Sequence, residues 1–309
     1  MTPEPLNSAV TMHPNFKQKL WLAAIKPPMY SVAIMPIWVG SMVAFAETGV
    51  FQLLPFLIFL ASAILILAWE NLTNDVFDAD TGVDVNKAHS LVNLTGNKPL
   101  IFWLGNFCLL VGLLGICALS LMQQDGTVAG LILLSCFLGY TYQGPPFRLG
   151  YHGVGEIICF LCFGPLAFAA AYYSQAKDWS TVNMAASIII GIATSLILFC
   201  SHFHQIEDDG AVGKRSPIVR LGTARSAKLL TWFCAAIYGL TAMFVVTGIF
   251  PSMALLLLFS LPVGLKLMRH VSENHDKPLQ VSNCKFIAVS LHFWMGLLLG
   301  TGFLLARVW

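Results

Sequence analysis

Long apolar runs alternate with short polar interruptions along almost the whole chain. Nine runs approach or exceed the roughly 20 residues that a helix needs to cross a bilayer. They cover residues 20–46, 51–73, 100–122, 127–143, 154–174, 182–204, 227–249, 251–268 and 285–306. Because lipid cannot satisfy an open sheet edge, such continuous runs are typical of helices. The pattern predicts an all-α, polytopic membrane protein with about nine transmembrane helices.

The composition agrees with a membrane protein. Of the 309 residues, 57% are hydrophobic and only 10% are charged, whereas soluble proteins carry about 25% charged residues. No linker or second soluble segment interrupts the runs. We therefore expect one transmembrane domain over residues 1–309, with a polar N-terminal tail at 1–19, surrounded by the lipid bilayer and binding no nucleic acid. The Cys159/Cys162 pair has apolar neighbours and is expected to pack as small hydrophobic residues.

Basic residues predict the orientation of the helices. Of the 17 Lys and Arg residues, all except Lys177 and Arg307 fall in the N-terminal region or near the loops after the even-numbered runs. Positive residues favour the cytoplasmic side. The N-terminus and the even-numbered loops are therefore expected on the cytoplasmic face of a plasma or thylakoid membrane.

A polar stripe, NLTNDVFDADTGVD, follows the second run at residues 71–84. Four of its residues are spaced i, i+3, i+4 and i+7, so that they share one helical face: Asn71, Asn74, Asp75 and Asp78. Asp80 points elsewhere, and Gly82 is expected to end the helix before Asp84. A solvated helix end would explain the polarity of this segment but not the shared face.

A second acidic cluster, QIEDDGAVGKRSPIVRLG, follows the sixth run at residues 205–222. Gln205 and Asp209 are four residues apart, Glu207 is offset from them, and Asp208 is in line with His204. Both clusters precede Lys and Arg residues on the same expected face. Carboxylates suit Mg²⁺, which bridges to substrate phosphates, and the cations suit the remaining phosphate charge. A diphosphate ligand fits this pattern better than a bare ion.

These motifs resemble those of the UbiA-type intramembrane prenyltransferases. NLTNDVFDADTGVD resembles their first aspartate-rich motif, QIEDDGAVGKRSPIVRLG their second, and YTYQGPPFRLGYHGVGEIICFLCFGPLA their loop after span 4. KPPMYSVAIMPIWVGS resembles the start of their first span. Within the family, the 1,4-dihydroxy-2-naphthoate prenyltransferases have similar features to four found here: Gly82, Asp84, the GKR at 213–215 and the GxGE at 153–156. SLVNLTGNK and GPPFRLGYHGVGE resemble the phytyl-transferring branch of oxygenic phototrophs.

The resemblance implies a Mg²⁺-dependent enzyme that transfers a prenyl group, phytyl in this branch, from its diphosphate to 1,4-dihydroxy-2-naphthoate with decarboxylation. On this basis one Mg²⁺ is assigned to Asp75 and Asp78 with help from Asn71 and Asn74. A second is assigned to Glu207 and Asp209, with Gln205 standing where the family has Asp. The candidates for binding the diphosphate are Lys87, Lys214 and Arg215, although simple positive-inside anchoring explains each of them equally well.

Four further residues are candidates for the chemistry. Arg148 could bind the diphosphate or the carboxylate of the naphthoate. Tyr140 and Tyr142 could stabilise an allylic cation through their ring faces, or belong to an interfacial aromatic belt. Glu156 could deprotonate or orient the acceptor, or pair structurally with His152 at i, i+4.

Three alternatives stay open from the sequence. Within the family, the acceptor could be homogentisate or chlorophyllide, or the donor a longer polyprenyl diphosphate. Outside it, intramembrane acids also mark ion-coupled transporters. Transporter acids usually lie near the bilayer midplane, whereas these lie at the ends of runs on one face, and this placement favours the enzyme.

Overall fold

A computed structural model describes residues 26–82 and 90–308, and within these ranges the chain is helical with no strand. Eight helices are long and apolar enough to cross a membrane, and a ninth, α4, is shorter. In chain order they are α1 (Pro27–Thr48), α2 (Leu53–Thr81), α3 (Lys98–Gln123), α4 (Thr127–Gln143), α5 (Gly155–Ala176), α6 (Thr181–Ser201), α7 (Thr223–Val246), α8 (Ser252–Asn274) and α9 (Pro278–Val308). The predicted number of spans is confirmed; the predicted tail at 1–19 lies outside the described residues.

Helix α2 extends well beyond its apolar part. It reaches Thr81, so the polar stripe continues the same helix, and Gly82 ends it with a φ of 76°. Glycine adopts this left-handed conformation without the steric cost that other residues incur. The predicted helix end is therefore confirmed, and the four stripe residues share one face at the end of α2.

The core of the bundle lies around α1, α6 and α9. In both α1 and α6, 67% of the most apolar 18-residue window is buried, against 22% in α3. Helix α9 packs against α1, α6 and α8, while α3 packs mainly along α2. A Cβ at Gly112 would lie only 3.0 Å from the carbonyl oxygen of Ser62, so the missing side chain allows the close approach of α2 and α3.

Helix α5 is kinked near its middle. A π-turn spans Cys162–Leu166, where Gly164 has a non-helical ψ of −106° and Pro165 cannot donate a backbone hydrogen bond. Cys162 and Phe163, at this kink, line two cavities inside the bundle.

Hydrogen bonds join the helices at the bundle end opposite the polar stripe. The Gln52 backbone N–H donates to Gln175 Oε1 at 2.8 Å, and Gln52 Nε2 donates to the Gln175 carbonyl at 2.6 Å. Gln123 Nε2 donates to the Ser174 carbonyl at 2.6 Å, and Lys177 Nζ donates to the Gln123 carbonyl at 2.7 Å. These contacts connect the α1–α2 turn, the end of α3 and the end of α5.

The other end of the bundle carries the longer connections. Because successive helices run in opposite directions, α2, α4 and α6 all end there. Their connections contain four short helices: Leu91–Thr95, Leu149–His152, Ile206–Ala211 and Pro217–Leu221. The alternation of the helices thus brings both acidic clusters and the loop between α4 and α5 to one end of the molecule.

Candidate active site

Asp75 is held at the end of α2 by two groups from other parts of the chain. The carboxylate is buried, with 1% exposure. Lys26 Nζ lies 3.2 Å from Oδ1, and the Leu91 N–H donates to Oδ2 at 2.9 Å. Lys26 precedes α1 in a left-handed conformation, with a φ of 53°. The sequence-based assignment of site residues did not include Lys26.

The remaining stripe residues lie around Asp75. Gln143 Nε2, buried at the end of α4, donates to Asp78 Oδ1 at 2.6 Å. Asn71 and Asn74 line a cavity, and the buried Asn71 Nδ2 has no hydrogen-bond partner in the part of the chain that the structure describes. Asp80 lies off the shared face of the four stripe residues, as predicted, and pairs with Lys98 at the surface.

The second cluster is built after a break in the helix. Helix α6 ends at Ser201, and the chain becomes helical again over Ile206–Ala211 with Gln205 as N-cap. Asp209 has 0% exposure, and its Oδ1 lies 3.2 Å from Lys214 Nζ, which is also buried. Glu207 is exposed and Gln205 half-buried. The structure thus brings Asp209 and Lys214 together and leaves Glu207 outside this buried pair.

Tyr151 connects the two clusters. Its hydroxyl donates to Thr81 Oγ1 at the end of the first cluster, and its carbonyl accepts from the Arg215 N–H at 2.8 Å. Lys214 Nζ lies 6.0 Å from the centre of the Tyr151 ring. Burial is the largest cause that raises the pKa of the Tyr151 hydroxyl, and the nearby Asp78 and Asp209 carboxylates raise it further, against the Thr81 hydrogen bond and Arg148. Asp78 and Asp209 therefore act electrostatically on the same hydroxyl.

The remaining predicted site residues are two tyrosines and three basic residues, and those that the structure describes differ from one another in burial and in hydrogen-bond partners. The Arg148 guanidinium contains a buried Nε that has no hydrogen-bond partner among the described residues. The Tyr140 hydroxyl donates to the Pro145 carbonyl at 2.7 Å. Tyr142 lines the cavity beside Asn71. Arg215 is exposed, and Lys87 lies outside the described residues.

Glu156 pairs with His202, not with His152. His202 Nδ1 lies 3.1 Å from Glu156 Oε1, which joins α5 to the end of α6. The alternative pairing with His152 at i, i+4 is wrong, because His152 belongs to a separate 3₁₀ turn that Gly153 ends with a φ of 70°. The His152 carbonyl instead accepts from Arg220. Glu156 also lines a cavity between α5, α6 and α7, apart from the one beside the stripe.

Two adjacent cavities with shared lining residues lie beneath the first cluster. The upper cavity, of about 180 Å³, is lined by the stripe amides and by residues from α1, α4, α5, α6 and α9, including Lys285. The lower cavity, of about 70 Å³, has apolar walls from α1, α2, α4 and α5. Four residues line both cavities: Leu67, Glu70, Cys162 and Phe163. A polar site at the bundle end thus opens into an apolar interior.

The donor atoms at this end suit a hard cation such as Mg²⁺. In the described part of the chain, no three His, Cys, Asp or Glu residues form a group that could hold a metal. Mg²⁺ needs only one or two carboxylates, because it keeps several waters and binds substrate phosphate. Although Lys214 lies near Asp209, neither Asp209 oxygen accepts a hydrogen bond from a residue in the described ranges. Asp75, Asp78 and Asp209 are therefore suitable oxygen ligands.

Sequence reasoning missed Lys26, Gln143 and His202 as partners of the predicted carboxylates. Each contact joins residues at least 46 positions apart in the chain. The only local signal is a polar side chain next to an apolar run, as for Lys26 before Pro27 and Gln143 at the end of α4. That signal is equally typical of a membrane anchor or a helix end.

The fold and site define a class: a polytopic helical membrane protein with a polar site at one bundle end above an apolar interior. Residues 33–295 match the sequence model of the UbiA prenyltransferase family. The chain belongs to this family, so it is a prenyltransferase, and the predicted family resemblance is confirmed.

Curated relatives within the family show which members this chain is most similar to among those compared. The 2-carboxy-1,4-naphthoquinone phytyltransferase of Synechocystis sp. is 58% identical over 93% of each chain. The chloroplastic protein of the same name from Arabidopsis thaliana is 40% identical over 94% of this chain and 78% of its own. The 1,4-dihydroxy-2-naphthoate octaprenyltransferase of Bacillus subtilis is more distant, at 24% identity over 94% of this chain and 93% of its own.

Solved structures share the fold. The apo structure of a UbiA homolog from Aeropyrum pernix has a TM-score of 0.67 and 14% identity, over 91% of this chain and 98% of its own. A UbiA homolog from Archaeoglobus fulgidus bound to GPP and Mg²⁺ has a TM-score of 0.58 and 17% identity, over 91% of this chain and 99% of its own.

Proposed function

We propose that this protein transfers the phytyl group of phytyl diphosphate to 1,4-dihydroxy-2-naphthoate, the reduced form of 2-carboxy-1,4-naphthoquinone. The acceptor loses its carboxylate as CO₂, and the product is demethylphylloquinone at the quinol level. The observation that carries this proposal is the 58% identity to a 2-carboxy-1,4-naphthoquinone phytyltransferase over 93% of both chains. The Arabidopsis relative of the same name supports it.

The polar end of the bundle would bind the diphosphate. When bound, two Mg²⁺ ions would supply charge stabilisation for the departing diphosphate. Asp75 and Asp78, with Asn71 and Asn74, would hold one ion; Asp209, with Glu207 and Gln205, would hold the other. The structure supports Asp209 most strongly in the second set because it is buried beside Lys214. The archaeal homolog bound to GPP and Mg²⁺ supports a divalent metal.

Basic residues around these carboxylates would neutralise the leaving group. Lys26 and Lys214 each lie 3.2 Å from a motif carboxylate, and this proximity supports a role for both ammonium groups in binding the diphosphate. We assign Lys87, Arg215 and Arg148 to the same anion, with Arg148 also in reach of the acceptor carboxylate. Positive groups fixed where negative charge grows lower the barrier of an ionisation.

The apolar interior would receive the prenyl tail and protect the carbocation from water. Tyr142 lines the upper cavity beside Asn71 and offers a ring face to the cation. We place Tyr140 at the rim, and we place Glu156, which is paired with His202, in a positioning role. The polar end would face the cytoplasmic side of a plasma or thylakoid membrane, consistent with the cyanobacterial and chloroplastic relatives.

The proposal predicts that the enzyme prefers one particular donor and one particular acceptor. In lipid nanodiscs with Mg²⁺, the purified protein should release diphosphate and CO₂ from phytyl diphosphate and 1,4-dihydroxy-2-naphthoate. It should use phytyl diphosphate at least about 10-fold better, in kcat/KM, than solanesyl diphosphate, because the 58% identical relative is a phytyltransferase and chain-length preference is a difference in transition-state binding. EDTA should stop the reaction. Equal rates with solanesyl diphosphate, or faster reaction with homogentisate or chlorophyllide, would contradict the proposal.

Because Gln205 stands where the family has Asp, we expect Mg²⁺ binding to depend unusually strongly on the presence of the donor. Its amide oxygen can contact a hard cation but adds no negative charge, so the second Mg²⁺ should bind weakly until the diphosphate supplies that charge. Metal and donor should therefore each raise the affinity of the other by the same factor. Gln205→Asp should tighten Mg²⁺ binding to the free protein and reduce this coupling.

A Mg²⁺ titration with and without a non-hydrolysable phytyl diphosphate analogue measures the coupling. Asp208→Asn is the matched control, since this neighbouring acid is not assigned to the metal. If Gln205→Asp leaves both titration curves unchanged, Gln205 lies away from the metal.

A further inference from the structure

Glu70 is an acidic residue in the apolar interior to which the proposed mechanism gives no role. It lies on α2 directly before the polar stripe, and its side chain lines both the upper and the lower cavity. At a rise of about 1.5 Å per residue, it lies about 7.5 Å deeper along the helix than Asp75. Its carboxylate makes no hydrogen bond or ion pair with any residue in the described ranges.

Helix α4 leaves space for this carboxylate. Gly139 faces Glu70, and a Cβ at position 139 would collide with Glu70 Oε1. On the side of the lower cavity, the neighbouring walls are apolar or weakly polar, with side chains such as Leu67, Cys162 and Phe163. The upper cavity also carries polar side chains, including Asn71 and Lys285, but none of the described ones bonds to Glu70. The structure thus holds a carboxylate at the junction of two cavities, with no bonding partner among the residues that it describes.

A carboxylate inside a membrane protein is costly unless it faces a polar group. A phytyl chain beside Glu70 would offer no such group, and a diphosphate would repel the carboxylate. Of the two proposed substrates, only the acceptor carries O–H donors, on its ring. The depth of Glu70 leaves room for an aromatic ring between it and the diphosphate site at Asp75.

We infer that Glu70 binds the aromatic acceptor by accepting a hydrogen bond from a ring hydroxyl. This contact fixes the ring beneath the diphosphate site, so that one ring face meets the allylic carbon. It also discriminates between naphthalene diols and analogues that lack a hydroxyl. The inference rests on the proposed function, because it takes the acceptor to be a hydroxylated naphthoate.

Binding measurements test the inference without turnover. Equilibrium dialysis of nanodisc-embedded protein would give Kd values for three acceptors: 1,4-dihydroxy-2-naphthoate, 1-hydroxy-2-naphthoate and 4-hydroxy-2-naphthoate. Wild type should bind the diol at least about 10-fold more tightly than one of the monohydroxy analogues, as expected for a hydrogen bond to a charged acceptor. Glu70→Met should bind all three with equal, weak affinity. Glu70→Gln, which keeps one acceptor oxygen, should show intermediate discrimination.

Two controls separate acceptor binding from a general structural effect. The Kd of a non-hydrolysable phytyl diphosphate analogue should stay within about twofold in the Glu70 variants, because the donor headgroup site is untouched. Cys136→Ala changes the same cavity wall without altering a carboxylate, so it should keep wild-type discrimination. If Glu70→Met also binds the donor analogue more weakly, its structure is disturbed. The acceptor Kd values of the milder variant Glu70→Gln then provide the test.

Two outcomes would overturn the inference: wild-type discrimination in Glu70→Met and Glu70→Gln, or equal binding of all three acceptors by wild type. Turnover by the wild-type protein separates this failure from that of the proposed function. If wild type does not prenylate the diol with phytyl diphosphate, the proposed function fails. If wild type does so while the Glu70 variants retain full discrimination, only the role of Glu70 fails.

Discussion

Asp75→Asn is expected to lower kcat/KM by at least about 1000-fold while the protein stays folded. Losing a charged ligand to an ion that stabilises a leaving group removes several kcal/mol of transition-state stabilisation, and each 1.36 kcal/mol is a factor of ten. The Asn side chain keeps an oxygen that can accept from the Leu91 N–H, as Asp75 does at 2.9 Å. Product formation from phytyl diphosphate and thermal unfolding in nanodiscs measure the two parts of this prediction.

Asp80→Asn is the matched control for this experiment. Asp80 lies on the same helix but off the shared face, and it pairs with Lys98 at the surface. Removing an exposed charge of this kind changes stability by about 0.5 kcal/mol or less, and activity should stay within about twofold. An Asp75→Asn variant with activity near that of Asp80→Asn would show that Asp75 is not a metal ligand.

Asp209→Asn is expected to abolish turnover and also to destabilise the protein. Asp209 and Lys214 form a buried ion pair with side-chain exposures of 0% and 6%. Removing one partner leaves an uncompensated buried charge, which costs about 3–5 kcal/mol. The single variant should therefore show both a lower Tm and no product.

The double variant Asp209→Asn/Lys214→Met separates the two effects. Removing both charges should recover most of the lost Tm, while the site still lacks its carboxylate and stays inactive. Thermal unfolding and the phytyl transfer assay, run in parallel on the single and double variants, give the comparison. Recovery of turnover together with Tm would mean that Asp209 serves packing alone.

The sequence predicted those features that depend on local periodicity. Nine apolar runs predicted the number of helices, and the i, i+3, i+4, i+7 spacing placed Asn71, Asn74, Asp75 and Asp78 on one face. Gly82 ended α2 as expected. Such features follow from the chain itself, because helical geometry fixes which neighbours share a face.

Features that depend on packing could not be predicted in the same way. Lys26 and Asp75 are 49 residues apart, and Gln143 and Asp78 are 65 apart. No local pattern selects these partners, since they meet only when α1 and α4 pack beside α2. The alternative pairing of Glu156 with His152 failed for a related reason, because helical spacing does not apply across the turn at Gly153.

The hydrogen bonds between Gln52 and Gln175 and between Gln123 and Ser174 affect how the molecule can move. They join the helix ends on the side away from the acidic clusters. A protein that works by alternating access must open each side in turn, and this bundle is cross-connected on one of them. We therefore expect substrates and product to exchange at the clustered end or at the lipid-facing flanks of the helices. A chamber closed on one side suits a reaction that must exclude water, and it is unsuited to carrying a solute across the membrane.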